Sequence, residues 1–364
     1  ELLRHLETDV KAWNAVAAEV VQLPEDHMNG VPASLAELGE LKLISGSANT
    51  PLAEEIAARL GVALSPAHVK RFNDGEVNIQ LCDSVRGCHV YIVQSCGPPV
   101  NDNLVELLLL IAAAKRASAS SVTAVLPYYP YSRQSHQPRR MRVPIAGADV
   151  ATMMEAMGVD RVLSVDLHCA QIQGFFAPSC PVDNLYAAPA AVSYFHAKDL
   201  VRPAVVSPDA AGVARAKLFA DGLLSESDET PSLAVCISIG EAGDSLTLVG
   251  DVRDCDCIIV DDMIDSGRTL CSAANHLKDQ GAQRVFAFAT HALFSGNAAE
   301  LIEASAVDEL IVANSIELPP NLRERTRKIR QLSVGKLLAD AVRAIQAGTS
   351  VSELFSSNFS AQIS

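Results

Sequence analysis

Between Cys257 and Leu270 an apolar run, Cys257-Ile258-Ile259-Val260, leads into two adjacent carboxylates, Asp261 and Asp262. A short acidic loop with Ser266, Gly267 and Thr269 follows, and a helical pattern begins at about Leu270. A buried strand ending in Asp-Asp and opening onto small residues at a helix start suits a sugar phosphate. Loop N–H groups, the Ser and Thr hydroxyls and the helix N-terminus offer donors to the phosphate. The paired carboxylates offer acceptors to ribose hydroxyls, or hold Mg²⁺ beside them.

The elements that must carry this loop alternate from Leu41 onward. The pattern predicts strands at Leu41–Ile44, His89–Gln94, Val122–Leu126, Arg161–Asp166, Ala204–Ser207, Cys257–Asp262, Val285–Thr290 and Leu310–Asn314. It predicts helices at Thr50–Leu60, with Thr50 as cap and Pro51 in the first turn, and at Asn103–Lys115, capped by Asn101, Asp102 or Asn103. Residues 69–81 read as extended chain around the turn Asn73-Asp74-Gly75. Alternating strands and helices imply α/β domains with mostly parallel sheets covered on both faces. The two halves share one layout, so a duplicated domain is expected, with residues 41–185 as the first copy and 186–364 as the second. Only the second carries the Asp-Asp and Asp-Ser-Gly signals. Residues 1–40 stand apart: Leu6, Val10, Trp13, Ala17 and Val20 fall at helical spacing before Pro24, which predicts an N-terminal helical extension.

Composition sets the limits. The chain has 364 residues, 49% hydrophobic and 20% charged, with 5% aromatic, as soluble α/β proteins do. A formal net charge of −14 argues against nucleic acid or an anionic membrane as partner. The nine cysteines are scattered singly except Cys255-x-Cys257, which reads as reduced thiols in a cytoplasmic protein. No apolar run is long enough for a membrane span. No signal peptide is visible, and the chain starts at Glu1, so one could have been removed.

Several segments, in order, resemble the ribose-phosphate diphosphokinase (phosphoribosyl pyrophosphate synthetase) family. They are Ile44-Ser45-Gly46-Ser47, Phe72-Asn73-Asp74-Gly75-Glu76, Ser84-Val85-Arg86-Gly87, Asn101-Asp102-Asn103-Leu104 and Pro127-Tyr128-Tyr129-Pro130-Tyr131-Ser132-Arg133-Gln134. Then come Asp166-Leu167-His168, Gln171-Ile172-Gln173-Gly174-Phe175-Phe176, Pro181-Val182-Asp183-Asn184-Leu185-Tyr186, Ser207-Pro208-Asp209, the loop after Asp262, Thr290-His291 and Ser350-Val351-Ser352-Glu353-Leu354-Phe355. The opening loop looks like the ribose 5-phosphate loop of the phosphoribosyltransferase-type fold.

The resemblance implies two tandem phosphoribosyltransferase-type domains that move the β,γ-pyrophosphoryl group of ATP onto ribose 5-phosphate, with Mg²⁺ as cofactor. It implies ATP contacts at Arg133 and Gln134, contacts of Phe72, Asp74, Gly75 and Glu76 to the adenine of a neighbouring subunit's ATP, and ribose 5-phosphate contacts at Asp261, Asp262, Asp265, Ser266, Gly267, Arg268 and Thr269. It places metal ligands at Asp166, His168 and Asp209, with His168 also catalytic. It matches Ser84, Gln173, Asp183, Asn184, Ser350, Ser352 and Phe355 to an allosteric site for phosphate and ADP. A homo-oligomer, commonly a hexamer, comes with the family.

One departure bears on catalysis. The family carries a Lys-x-Arg pair on a flexible loop, corresponding to the stretch near Ser238-Ile239 here, and no Lys or Arg occurs between Lys217 and Arg253. Two readings stay open. Either the chain has given up these cations, like the associated regulatory subunits of the family, or a short stretch is missing from the sequence between Ser238 and Ile239. The short junction favours the second. A phosphoribosyltransferase that joins a base to phosphoribosyl pyrophosphate is the more distant alternative, opposed by the ATP-side segments and the duplicated domain.

Overall fold

A computed structural model describes residues 40–137, 141–224, 231–239, 245–351 and 354. The expected helical extension, together with Ser352 and Phe355, lies outside the described residues. The first half runs β1 (Leu41–Ser45), α1 (Thr50–Leu60), β2 (Ala67–Arg71), β3 (Val77–Leu81), β4 (His89–Val93), α2 (Val100–Arg116), β5 (Ser121–Leu126), α3 (Ala146–Met157), β6 (Arg161–Val165), a 3₁₀ segment (Ala170–Phe175), β7 (Val182–Leu185) and α4 (Ala188–His196). The second half runs β8 (Ala204–Ser207), α5 (Val213–Leu223), β9 (Ser232–Ile239), β10 (Ser245–Val249), β11 (Asp256–Ile264), α6 (Arg268–Asp279), β12 (Arg284–Ala292), α7 (Ala298–Ala304), β13 (Glu309–Ala313), α8 (Leu322–Arg325), β14 (Ile329–Leu332) and α9 (Gly335–Ala347).

The duplication is plain in the pairing. Strands β1-β4-β5-β6-β7 form one parallel sheet, and β8-β11-β12-β13-β14 form the same five-stranded parallel order in the other. Each copy has an antiparallel hairpin inserted after its first helix. In the first copy β2–β3 stands off as a separate sheet; in the second, β9–β10 joins the main sheet at its edge through β8. Helices cover both faces, as parallel strands without a solvent face require. No described helix is long and apolar enough to cross a membrane.

The cores do not divide where the sheets do. One apolar cluster joins Leu43, Val125 and Val165 of the first sheet to Val205, Ile258 and Ile311 of the second, through α4, α5 and α9. The last helix crosses back: α9 packs on α1, its Gly335 against Glu55, and Arg343 donates to the Arg59 carbonyl at 2.8 Å. The outer faces form separate cores, one under α2 and α3 and one under α6 and α7.

Several boundaries differ from expectation for local reasons. The cap of α1 is Asn49, whose side chain accepts the Leu52 N–H, not Thr50. Helix α2 starts at Val100, and its cap position is Pro99, whose side chain has no acceptor to offer; Asn103 lies inside the helix and donates its amide to the Gly97 carbonyl at 2.9 Å. Strand β11 does not stop at Asp262 but runs to Ile264, since Met263 and Ile264 still pair with His291 and Ala292. Helix α6 begins at Arg268, two residues before Leu270.

The loop after β1 carries its own anion. Glu106 of α2 is buried and accepts the Ser47 N–H (2.6 Å), the Ser47 hydroxyl (2.7 Å) and the Gln94 amide (2.9 Å). Gly46 has no room for a side chain there: a Cβ would collide with the Gln94 amide and the Glu106 carboxylate.

Candidate active site

The carboxyl ends of the two sheets meet, which is where open α/β sheets bind ligands. Residues just beyond β1, β4 and β6 touch the ends of β12 and β13. Asn49 donates to the Asn314 carbonyl at 2.8 Å, Ser95 to the Ser315 carbonyl at 2.6 Å, and Thr290 to the Asp166 carboxylate at 2.6 Å. The Tyr128 and His291 rings meet edge-on at 4.9 Å.

The second half supplies the carboxylates. Asp261 and Asp262 sit in β11, with Asp262 buried and Asp261 partly so. Burial and the adjacent Asp262 charge push the Asp261 carboxyl up to about 7. Burial works the same way on Asp262, but the hydrogen bond from His168 and the Arg215 charge outweigh it and hold that carboxyl well below its ordinary range. His168 Nδ1 lies 2.8 Å from Asp262 Oδ2, and this bond raises the imidazole's affinity for its proton against the opposing effect of burial.

The loop after β11 turns through Gly267 at φ 73° into α6, whose first turn has no side-chain cap. Its amide groups are therefore available to a phosphate. Ser266, Arg268 and Thr269 are exposed around it. Asp265 turns to the other half: its Oδ2 pairs with Arg133 Nη1 at 2.6 Å. Ser295 and then Arg133 keep the Asp265 carboxyl below its usual range.

The first half supplies the opposing rim. Arg133 and Gln134 follow β5 in a turn where Tyr131 takes φ 55° and Gln134 N–H bonds the Tyr131 carbonyl at 2.9 Å. Phe72, Asp74, Gly75 and Glu76 are not on this rim: they form the exposed tip of the separate β2–β3 hairpin, whose hydrogen bonds are local, Gly75 N–H to Phe72 O and Glu76 N–H to Asp74 Oδ1.

The expected metal ligands are not equivalent. His168 faces Asp262 across the cleft. Asp209, after β8, accepts the Gly212 N–H at 2.8 Å. Asp166 points inward, and its Oδ2 accepts the Ala187 N–H and the Thr290 hydroxyl. Burial raises its carboxyl above the ordinary range, against those two hydrogen bonds. Among the described residues no three His, Cys, Asp or Glu side chains form a metal cage.

Among the expected effector residues, Ser84 and Gln173 are exposed, Asp183 pairs with Arg161 at 2.5 Å, and buried Asn184 accepts the Leu167 N–H at 2.9 Å. Ser238 and Ile239 end β9, paired with Leu246 and Ser245, and the tip at 240–244 lies outside the described residues.

Sequence reasoning missed Arg215. It stands in the first turn of α5, six residues after Asp209, and reaches Asp261 at 3.4 Å and Asp262 at 3.3 Å. Its position just past the Ser207-Pro208-Asp209 segment was the available signal. Thr290 and His291 were recognised as a matching pair without a role.

Two parallel α/β halves, meeting at their strands' carboxyl ends around carboxylates, arginines and an uncapped helix start, define a phosphoribosyltransferase-type enzyme architecture. Comparison with known proteins agrees. A model of the N-terminal domain of ribose phosphate pyrophosphokinase matches residues 41–158, and one of the phosphoribosyl synthetase-associated domain matches residues 210–356. Ribose-phosphate pyrophosphokinase of Vibrio vulnificus strain YJ016 is 47% identical over 320 residues, covering 87% of this chain and 99% of that protein. The Shewanella oneidensis protein of that name is 46% identical over the same shares. The crystal structure of phosphoribosylpyrophosphate synthetase from Mycobacterium smegmatis superposes with a TM-score of 0.78 at 38% identity, covering 84% of this chain and 98% of that one. The chain belongs to the ribose-phosphate pyrophosphokinase family.

Proposed function

We propose that the protein transfers the β,γ-pyrophosphoryl group of ATP to the anomeric hydroxyl of ribose 5-phosphate, giving phosphoribosyl pyrophosphate and AMP. The observation that carries this reading is the Arg133–Asp265 ion pair at 2.6 Å. It joins the segment expected to hold ATP phosphates to the loop expected to hold the sugar phosphate, so the two half-sites face one another.

Ribose 5-phosphate would seat its phosphate on the amides after Asp265 and its hydroxyls on Asp261 and Asp262. Arg133 and Arg215 would supply the guanidinium groups that neutralise charge on the transferred group. Mg²⁺ enters with the nucleotide as part of the substrate, since this ion keeps its waters and relies on phosphate oxygens more than on a protein cage. Asp209 fits such an ion directly and His168 fits it through water, because imidazole is a poor ligand for a hard cation. Asp166 does not fit, because its carboxylate is committed inside the fold.

A homo-oligomer is the reading that the outer surface supports. Val105 and Leu109 of α2 and Met153 and Met157 of α3 are each more than a third exposed. Between Asn103 and Ala114, α2 carries no charge except buried Glu106. Control by phosphate and ADP rests on the family likeness alone.

Purified protein with Mg²⁺, ATP and ribose 5-phosphate should release AMP with no nucleobase added. A second reading, a regulatory subunit, is favoured by the stretch from 218 to 252, which lacks Lys and Arg. Absence of AMP from the chain alone, with stimulation of an active relative on mixing, would support that reading instead.

A further inference from the structure

Asp166 leaves β6 with φ 43°, a conformation that residues with a side chain rarely adopt. Four hydrogen bonds hold it there. Its N–H donates to the Leu185 carbonyl at 2.8 Å, its Oδ2 accepts from Ala187 N–H at 2.9 Å and Thr290 Oγ1 at 2.6 Å, and its carbonyl meets His291 Nε2 at 3.1 Å. Thr290 and His291 belong to β12, in the opposite half. Two residues further on, His168 makes its bond to Asp262 of β11. Strands β11 and β12 are paired in register, Asp261 with Ala289 and Met263 with His291. The segment 166–168 therefore crosses to two adjacent strands of the other half by three bonds, two from Asp166 to β12 and one from His168 to β11. Asn184, accepting the Leu167 N–H, fixes the residue between them.

We propose that Asp166 is a positioning residue: by holding Thr290 across the cleft it fixes where His168 meets Asp262, and it does not ligate a metal. The proposal rests on the functional reading above, and it changes the role of one residue within it. The carboxylate works here as an acceptor of two hydrogen bonds. An asparagine oxygen can accept both, whereas a metal ligand would not survive that change.

The test uses the full chain with Asp166→Asn, Asp166→Ala, Thr290→Val and Thr290→Ser. Asp166→Asn should keep kcat within about threefold of wild type, with the Mg²⁺ requirement unchanged. Thr290→Val should lower kcat about tenfold at an unchanged Mg²⁺ requirement, Thr290→Ser should restore it, and Asp166→Ala with Thr290→Val should be no worse than the poorer single change. A rise in the Mg²⁺ requirement of Asp166→Asn, with Thr290→Val silent, would overturn the proposal. If Thr290→Val fails to fold, the Mg²⁺ dependence of Asp166→Asn decides alone. A second readout needs no substrate: amide exchange at Asp166 and Leu167 should quicken about tenfold in Thr290→Val, while the β1–α1 loop stays as it was. Unchanged exchange there sinks the proposal. Quickened exchange in a protein that makes no AMP sinks only the functional reading.

Discussion

Two neighbouring aspartates in one strand behave differently because only one of them has close cationic neighbours on both sides. Asp262 has His168 and Arg215, whereas Asp261 has Arg215 at the longer distance and the Asp262 charge beside it. The Asp261 carboxyl titrates near 7 in the folded chain against 3.8 ordinarily. The folded chain thus binds a proton that the unfolded chain lacks across that window. Its contribution to stability is fully present below the ordinary value and is lost as pH rises through the folded one. Asp261→Asn should therefore raise the melting temperature of the unliganded protein more at about pH 8 than at about pH 5. Each kcal/mol gained would appear as about 1–2 °C in a thermal scan of a chain this long. A gain that is larger at the lower pH would contradict the assignment. His168→Ala removes the partner of Asp262 and should lower kcat by roughly a hundredfold or more, read in the AMP assay. The aspartates and His168 were legible in the sequence because they sit beside punctuating loops and recognisable segments. Arg215 and Thr290 were not, because their roles depend on strand register between distant segments. The resemblance grouped Asp166 with His168 as a metal ligand, whereas the structure turns it inward at φ 43° onto Ala187 and Thr290.

At the scale of elements, the apolar runs of β4, β5, β11 and β12 were readable because buried parallel strands leave little room for polar residues. Element ends were less so, since a cap depends on where one side chain points. Asn49 and Thr50 are both capable caps, and the geometry chose the first. The β1–α1 loop offers a sharp test. Gly46→Ala forces a methyl group into the Gln94 and Glu106 side chains, both buried. It should destabilise the chain by more than about 2 kcal/mol in urea unfolding. A neutral result would mean that the loop yields more easily than its hydrogen bonds imply.

For the molecule as a whole, the repeated layout was visible from spacing, but the shared core was not. The two sheets divide between β7 and β8, yet α9 returns to α1, and one apolar cluster spans both halves. Nothing in local sequence announces that a last helix will cross back. The exposed α2–α3 surface sets the expectation for assembly. Leu109→Glu, with or without Met153→Glu, should shift the protein to smaller species in sedimentation while leaving its helix content unchanged. An unchanged sedimentation profile would move the interface elsewhere.

Glu106 has a consequence for the protein's lifetime. The first half holds a built-in carboxylate on its loop, and the Ser47 N–H and hydroxyl are already taken by it. The loop after β11 has no such internal partner. Whatever binds it favours the native state by RT ln(1 + [L]/Kd). Because one core runs through both halves, that gain is felt by the entire chain. Added ribose 5-phosphate should therefore slow cleavage of the whole chain by an added protease, the first half included.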